Sequence, residues 1–166
     1  QYPFGSTYCV KPEMLVPILD SRHEAVVYPE TKLYRRGCVT HCGYEENFCE
    51  IGCAEGITCQ RVLESGSAER DVVGIDKSTS CIKEAQRRYP DCSFLLSDVF
   101  EEDVDALQLS PAVVGVDING NRQVEAVWQC LQVIMEHWRP RLILVKARSL
   151  YHSLGKDDAP AESHSG

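Results

Sequence analysis

The chain of 166 residues contains no long apolar run, and its longest ones, Ala112–Val116 and Leu142–Val145, have the length of a strand. A membrane-spanning helix needs about 18 or more apolar residues, so we expect no membrane insertion. Basic residues are also scarce, with 17 Lys and Arg against 25 Asp and Glu. Such an acidic chain is not expected to coat nucleic acid or anionic membranes non-specifically. An initiating Met and a signal-like segment are missing as well, so we expect a processed or trimmed piece.

The nine cysteines lack the paired CxxC spacing of zinc ribbons. Several of them lie in apolar runs, where Cys behaves as a small buried hydrophobic residue. The chain is also neither short nor loop-rich, as a secreted disulfide scaffold would be. We therefore expect reduced thiols, no bound metal, and an intracellular, reducing compartment, either the cytoplasm or an organelle matrix. A metal site stays open as an alternative and would centre on Cys38, His41 and Cys42.

From residue 47 onward, apolar runs of strand length alternate with helical patterns. The predicted strands are Asn47–Cys53, Asp71–Lys77, Ser93–Asp98, Ala112–Ile118 and Arg141–Ala147. The predicted helices are Ile57–Glu64, Ser78–Tyr89, Glu101–Leu109 and Val124–Trp138. Continuous hydrophobicity within each strand is typical of a sheet covered on both faces. The alternation therefore predicts an α/β fold with a doubly wound, mostly parallel, Rossmann-like sheet.

The two ends of the chain differ in composition from this regular region. Residues 1–46 are predicted to form a helical or irregular N-terminal extension, with a helix around Pro12–Asp20 and a strand at Ala25–Tyr28. Residues 47–154 are predicted to form the main domain. Residues 155–166 are small and polar, and we interpret them as a tail.

The first predicted strand runs directly into a glycine turn, Glu50-Ile-Gly52-Cys-Ala54-Glu-Gly56. Glycines at such a junction let the backbone turn sharply and approach a ligand closely. The helix that follows offers free N–H groups at its N-terminus. This turn is therefore a candidate ligand-binding loop.

Acidic residues end the next three predicted strands, at Asp76, Asp98 and Asp117. A carboxylate at the end of the second strand can accept hydrogen bonds from both hydroxyls of a ribose. Taken alone, a glycine turn can be an ordinary connection and strand-end acids can be helix caps. In this order and at these intervals they favour a nucleotide-type site.

These residues resemble the motifs of the class I S-adenosylmethionine-dependent methyltransferases over about residues 45–150. The family's first motif is acid-x-Gly-x-Gly-x-Gly, and Ala54 stands here at the middle glycine. The resemblance implies S-adenosylmethionine as cofactor, with Gly52–Gly56 against its methionine, Asp76 on its ribose, and Asp98 with Val99 on its adenine. The implied cofactor-binding residues are Glu50, Gly52, Ala54, Gly56, Asp76, Lys77, Asp98 and Val99.

An NAD-binding Rossmann domain is a competing interpretation, because its motif also ends in a ribose-binding acid. Glu50 before the glycines, and Asp98-Val99 after the third strand, favour the methyl donor.

Asp117 and Lys146, at the ends of the fourth and fifth strands, look like catalytic residues of the FtsJ-type ribose 2′-O-methyltransferases. That likeness implies a lysine that eases deprotonation of an attacking hydroxyl, with RNA as one candidate partner. Lys32 is similar to that family's early lysine. The family's second carboxylate, which belongs to a later element, has no counterpart in this sequence.

The sequence thus predicts an S-adenosylmethionine-dependent methyltransferase of unknown acceptor, for which an RNA ribose hydroxyl is one candidate. The alternative is a non-catalytic, methyltransferase-like subunit of a larger, organellar assembly. It is favoured by the absence of the family's last strands, by Ala54, and by the absence of a general basic face. Small basic clusters such as Arg35-Arg36 and Arg139–Arg148 are usually solvated surface.

Overall fold

The computed structural model describes residues 8–11, 14–20, 23–67, 69–101, 104–118 and 124–154. The strands are β1 (Tyr8–Lys11), β2 (Met14–Asp20), β3 (His23–Tyr28), β4 (Phe48–Ile51), β5 (Val72–Asp76), β6 (Ser93–Leu96), β7 (Val113–Val116) and β8 (Leu142–Lys146). The helices are α1 (Thr31–His41), α2 (Ile57–Glu64), α3 (Thr79–Arg88), α4 (Val124–His137) and α5 (Arg148–Leu154), with a 3-10 turn at Val104–Leu107. The five strands predicted from residue 47 onward are confirmed. Of the predicted helix Glu101–Leu109, the described residues form only the 3-10 turn at Val104–Leu107.

The eight strands form one sheet in the order β1-β2-β3-β8-β7-β4-β5-β6. The strands from β3 to β6 in this order run parallel, and β1 and β2 are antiparallel additions at one edge. From β4 the chain moves outward through β5 and β6, then returns to the other side of β4 to form β7 and β8. The predicted doubly wound, mostly parallel sheet is confirmed. Ligands of such sheets bind beyond the carboxyl ends of the strands, where the winding direction reverses.

Helices cover both faces of the sheet. Alternate strand residues point to opposite faces, so Phe48 packs in one core with Tyr34 of α1 and Val62 of α2. Ile51 packs in the other core with residues of α4 such as Ile134. Because both faces of each strand are buried, the sequence of each strand shows continuous rather than alternating hydrophobicity.

The N-terminal segment corrects the sequence prediction. The helix predicted around Pro12–Asp20 is wrong, since Met14–Asp20 forms β2 between the antiparallel neighbours β1 and β3. A short apolar run does not distinguish helix from strand, and pairing along both edges of this run selects the strand. The strand predicted at Ala25–Tyr28 is confirmed within β3. For the described residues among 1–46, the expected helical or irregular character is therefore corrected to three strands and a helix.

The strand β3 also changes how the sheet is completed. It pairs in parallel with β8 along its whole length, from Glu24 opposite Leu142 to Tyr28 opposite Lys146. In the part of the chain that the structure describes, no strand follows β8. The sheet position next to β8, the fifth strand of the main domain, is therefore occupied by β3 from the N-terminal region. The polar tail predicted at residues 155–166 lies outside the described residues.

Among the described helices, none is long and apolar enough to cross a membrane.

Candidate functional site

The glycine turn after β4 has the left-handed backbone that its sequence predicts. Gly52 has φ of 79° and Gly56 has φ of 80°. A side chain at Gly52 would also place its Cβ 2.3 Å from the carbonyl oxygen of Asp117. The amide of Gly52 donates to the carbonyl of Ile75, 2.8 Å away. The turn therefore packs tightly between the ends of β5 and β7, and Gly52 has no room for a substituent.

Asp76 holds this turn from the end of β5. Its Oδ2 accepts a hydrogen bond from the amide of Ala54 at 2.9 Å, and its Oδ1 accepts one from the amide of Ser78 at 2.8 Å. Ala54 is itself left-handed, with φ of 47°, a conformation that costs roughly 1–2 kcal/mol for a residue with a Cβ. The hydrogen bond to Asp76 offsets this strain. The alanine at the middle position of the motif is therefore accommodated without loss of the turn.

A cavity of about 300 Å³ opens beyond the carboxyl ends of the strands, beside this turn. The residues of the sequence-predicted site in its wall are Gly52, Ala54, Asp76, Lys77, Asp98, Val99 and Asp117. Three predicted site residues are not part of the cavity wall. Gly56 caps α2 and packs against the ring of Phe94, Glu50 is buried behind the turn, and Lys146 lies beside the lining residue Asp117. The sequence also places a candidate acceptor-orienting motif after Asp117, at residues 119–122, which lie outside the described residues.

Lys77 and Asp98 form an ion pair in the wall of the cavity. The amine of Lys77 lies 3.2 Å from Oδ2 of Asp98. The other oxygen of Asp98 accepts a hydrogen bond from the amide of Phe100 at 3.2 Å. The Lys77 side chain is more than half exposed, so this pair contributes little to stability. It does hold the Asp98 carboxylate against the cavity.

Seven cavity residues were not singled out as site residues from the sequence. They are Ile51, Ile75, Ser78, Cys81, Ser97, Phe100 and Ile118. Ser78 is the N-cap of α3, and its Oγ accepts a hydrogen bond from the amide of Cys81 at 3.3 Å. The Ser97 hydroxyl is buried and has no hydrogen-bond partner among the described residues. The position of Ser97, directly before a strand-end acid, was the sequence signal available for it.

Glu50 is a buried carboxyl group linked to the N-terminal helix. Its Oε1 accepts a hydrogen bond from the Tyr34 hydroxyl at 2.9 Å, and its Oε2 one from the Cys59 thiol at 3.5 Å. Burial raises the pKa of Glu50 to about 7, although hydrogen bonds from Thr58, Tyr34 and Cys59 oppose the shift. The negative charge of Asp117 raises it further. Behind the glycine turn, Glu50 thus connects α1 through Tyr34 with α2 through Cys59.

Lys146 and Asp117 form an ion pair at the ends of β8 and β7. The amine lies 3.1 Å from Oδ1 of the carboxylate, and the side chains are 17% and 20% exposed. The lysine thus turns toward Asp117, a cavity residue, and is mostly covered. The structure brings these two sequence-predicted residues together at the margin of the cavity. Lys32, also considered from the sequence, is exposed in the first turn of α1.

The cysteines do not gather into a metal-like cluster in the described region. No group of three or more His, Cys, Asp or Glu side chains able to hold a metal occurs among the described residues. Cys42 lies instead near Arg70, and Cys38 lies in the core beside Tyr34. Burial raises the pKa values of both thiols.

Comparison with known proteins bears on the fold. No protein-family model and no curated protein matches the sequence. The structure is similar to a TehB-like SAM-dependent methyltransferase from Corynebacterium glutamicum, at 15% identity and TM-score 0.55, over 67% of this chain and 60% of that one. It is similar to the plantazolicin methyltransferase BpumL in complex with SAH, at 18% identity and TM-score 0.56, over 80% and 55%. A third match is the sugar N-methyltransferase KedS8 from Streptoalloteichus sp, at 14% identity and TM-score 0.52, over 70% and 47%.

The chain therefore has the Rossmann-like fold of SAM-dependent methyltransferases, and the resemblance to class I enzymes is confirmed at the level of the fold. It spans between 47% and 60% of the length of these structures. One of these structures is a plantazolicin methyltransferase and another a sugar N-methyltransferase, so the shared fold leaves the acceptor of this chain open.

Proposed function

We propose that the chain is an S-adenosylmethionine-dependent methyltransferase that holds its cofactor in the cavity beside the glycine turn. The observation that carries this proposal is the cavity itself. It combines the turn at Gly52 with the strand-end carboxylates Asp76 and Asp98 in the methyltransferase fold. A nucleoside with a charged amino-acid tail needs this combination of close backbone and carboxylate acceptors.

The donor and acceptor groups of the cavity fit such a cofactor. Each Asp76 oxygen accepts one backbone hydrogen bond, and a carboxylate oxygen can accept two. Asp76 therefore keeps one acceptor site per oxygen for the two ribose hydroxyls. Val99 supplies an apolar surface for the adenine beside Asp98, and Gly52 and Ala54 place the backbone of the turn in the cavity wall.

The bound cofactor would supply an activated methyl group on a sulfonium, so the protein has mainly to orient the acceptor. In this proposal Asp117 accepts a hydrogen bond from the acceptor hydroxyl, orients its oxygen, and takes up its proton as the oxygen accepts the methyl group. The ammonium of Lys146, 3.1 Å from that carboxylate, stabilises the negative charge that develops as the hydroxyl loses its proton. Both side chains are mostly covered, which strengthens these electrostatic effects.

The acceptor proposed is a hydroxyl group, and an RNA ribose hydroxyl is the candidate that this pair favours. We also propose a reducing intracellular compartment, the cytoplasm or an organelle matrix. Its support is that the eight cysteines with described side chains are free and that seven of them are buried.

Isothermal titration with S-adenosylmethionine tests the cofactor proposal. We expect binding by the unmodified protein and a loss of about ten- to a hundredfold in Asp76→Asn, because the amide leaves one ribose hydroxyl without an acceptor, worth about 1.5–3 kcal/mol. Asp91→Asn is the matched control, since Asp91 is exposed and outside the cavity. Circular dichroism checks that both variants fold.

Two results of that titration would contradict the proposal. If the unmodified protein gives no heat of binding at millimolar cofactor, the non-catalytic subunit becomes the better interpretation. If NAD binds in its place, the competing dinucleotide interpretation is correct.

A further inference from the structure

Two helices of this acidic protein, α1 and α5, carry basic residues and no acidic ones. Helix α1 carries Lys32, Arg35 and Arg36, and α5 begins with Arg148. Neither helix contains an Asp or Glu, although the whole chain has 25 acidic against 17 basic residues. We call these four side chains the cationic track.

The cationic track has no carboxylate partner among the described residues. Elsewhere, several cations are neutralised by carboxylates: Arg87 and Arg88 pair with Glu84, and Arg141 pairs with Glu46. In the part of the chain that the structure describes, four other basic residues also lack an ion pair, but they lie apart from one another: Arg61 in α2, Arg70 before β5, Lys83 in α3 and Arg139 after α4. Unpaired cations that cluster are available for an anionic partner.

The spacing within each helix directs the charges to one surface. Residues three and four apart share a helix face, and Lys32, Arg35 and Arg36 have this spacing. In α5 the same spacing places Arg148 with the rings of Tyr151 and His152, whose centroids are 5.7 Å apart in an edge-on arrangement. A row of cations with adjoining rings suits a single-stranded nucleic acid, which offers phosphates and stackable bases.

The two helices flank the acceptor side of the proposed active site. They follow the paired strands β3 and β8 directly, so both begin at the edge of the sheet that carries Lys146. They lie on opposite faces, because Tyr34 of α1 and Leu150 of α5 belong to the two different cores. A chain that passes from one helix to the other crosses the end of β8 and the Lys146–Asp117 pair.

We propose that the cationic track binds a single-stranded RNA by its phosphates and carries it across the Lys146–Asp117 pair. This inference rests on the proposed function, because it makes that RNA the acceptor. A single RNA strand is narrow enough to contact the cationic track without touching the acidic remainder of the surface. A flat anionic membrane would bring the rest of a protein with net charge −8 against like charge, which is unfavourable.

The test measures binding of a fluorescent, unstructured RNA of about 12 nucleotides, within the range for single-strand sites, by anisotropy at several salt concentrations. Four phosphate contacts predict a slope of log K against log[salt] of about −2.8. Affinity should therefore fall about 50-fold between 50 and 200 mM salt. Arg36→Glu and Arg148→Glu should each weaken binding at least about tenfold and make the slope less steep by about 0.7 or more.

Lys83→Glu is the matched control, because it makes the same charge change on exposed α3 and should leave RNA affinity within about twofold. Titration of S-adenosylmethionine into Arg36→Glu and Arg148→Glu should give the affinity of the unmodified protein. Cofactor binding without measurable RNA binding would overturn this inference and leave the proposed function intact. An equal loss of RNA affinity in all three variants would also overturn it, since only net charge would then matter. Failure to bind the cofactor would count against the proposed function instead.

Discussion

Replacement of Glu50 by glutamine should remove most of the pH dependence of stability between about pH 5 and about pH 8. Glu50 is fully buried beneath the glycine turn, and burial raises its pKa from 4.5 to about 7. Glutamine has nearly the same shape but does not ionise. The hydroxyl of Tyr34 and the thiol of Cys59 can accept as well as donate hydrogen bonds, so they can still pair with the amide.

The sign follows from the raised pKa. Between pH 4.5 and 7 the unfolded chain loses the Glu50 proton while the folded protein retains it. Stability therefore falls as pH rises through this window and levels off above it. The interval between the two pKa values corresponds to a loss of about 3 kcal/mol, at 1.36 kcal/mol per pH unit. Glu50→Gln should match the unmodified protein near pH 5 and exceed it by up to about 3 kcal/mol near pH 8.

Urea unfolding followed by circular dichroism at each pH gives the two free-energy curves. The informative quantity is the difference between the two curves, because contributions that are the same in both proteins cancel. Glu45→Gln provides the control, since Glu45 is exposed and the same substitution there should leave the curve unchanged. A difference between Glu50→Gln and the unmodified protein that stays constant across the range would refute the reasoning.

Three further predictions concern the turn and the ion pair. Tyr34→Phe removes a hydrogen bond that lowers the pKa of Glu50. The upper end of the pH window in which stability falls should therefore move upward, and unfolding at pH 8 should become easier by about 1–3 kcal/mol. Gly52→Ala should destabilise the protein by at least about 2 kcal/mol, because the added Cβ would meet the backbone of Asp117. Ala54→Gly should stabilise it by up to about 1 kcal/mol, because glycine adopts the left-handed conformation without strain. Thermal unfolding of the two variants tests both predictions. Lys146→Met should lower methyl transfer to a hydroxyl acceptor by roughly 10²–10⁴-fold with cofactor affinity unchanged by titration, and full retention of activity would remove Lys146 from the proposed mechanism.

The sheet from residue 47 onward was predictable because its signals are local. Each strand is a continuous apolar run, and each ends close to a chemically distinctive residue such as Asp76 or Lys146. Parallel strands place such ends at one edge, so the location of the cavity follows from the sequence pattern. Asp117 and Lys146 were predicted at the ends of the fourth and fifth strands, and the ion pair between them is a finding of the structure.

The N-terminal region could not be predicted in the same way, because long-range pairing determines it. Met14–Asp20 has no periodicity that separates helix from strand, and its strand form depends on β1 and β3. Helix α1 was missed as well, although its Tyr34 is central to the Glu50 environment. The contact joins residues 16 positions apart, and no local motif indicates it. The absence of a hydrogen-bond partner for the buried Ser97 hydroxyl among the described residues could not be predicted either, because it depends on the packing of the folded chain.

The pairing of β3 with β8 has a consequence for biosynthesis. Its register joins Glu24 to Leu142, which are 118 residues apart. At about 5–20 residues per second, β3 leaves the ribosome roughly 6–24 s before its partner strand is made. During that interval β1, β2 and β3 can form strand pairs only with one another. One edge of β3 then exposes unpaired backbone groups, which can pair with other chains. The edge of β3 is therefore covered only once β8 has been synthesised, and chaperones that bind extended segments have a long opportunity at β3.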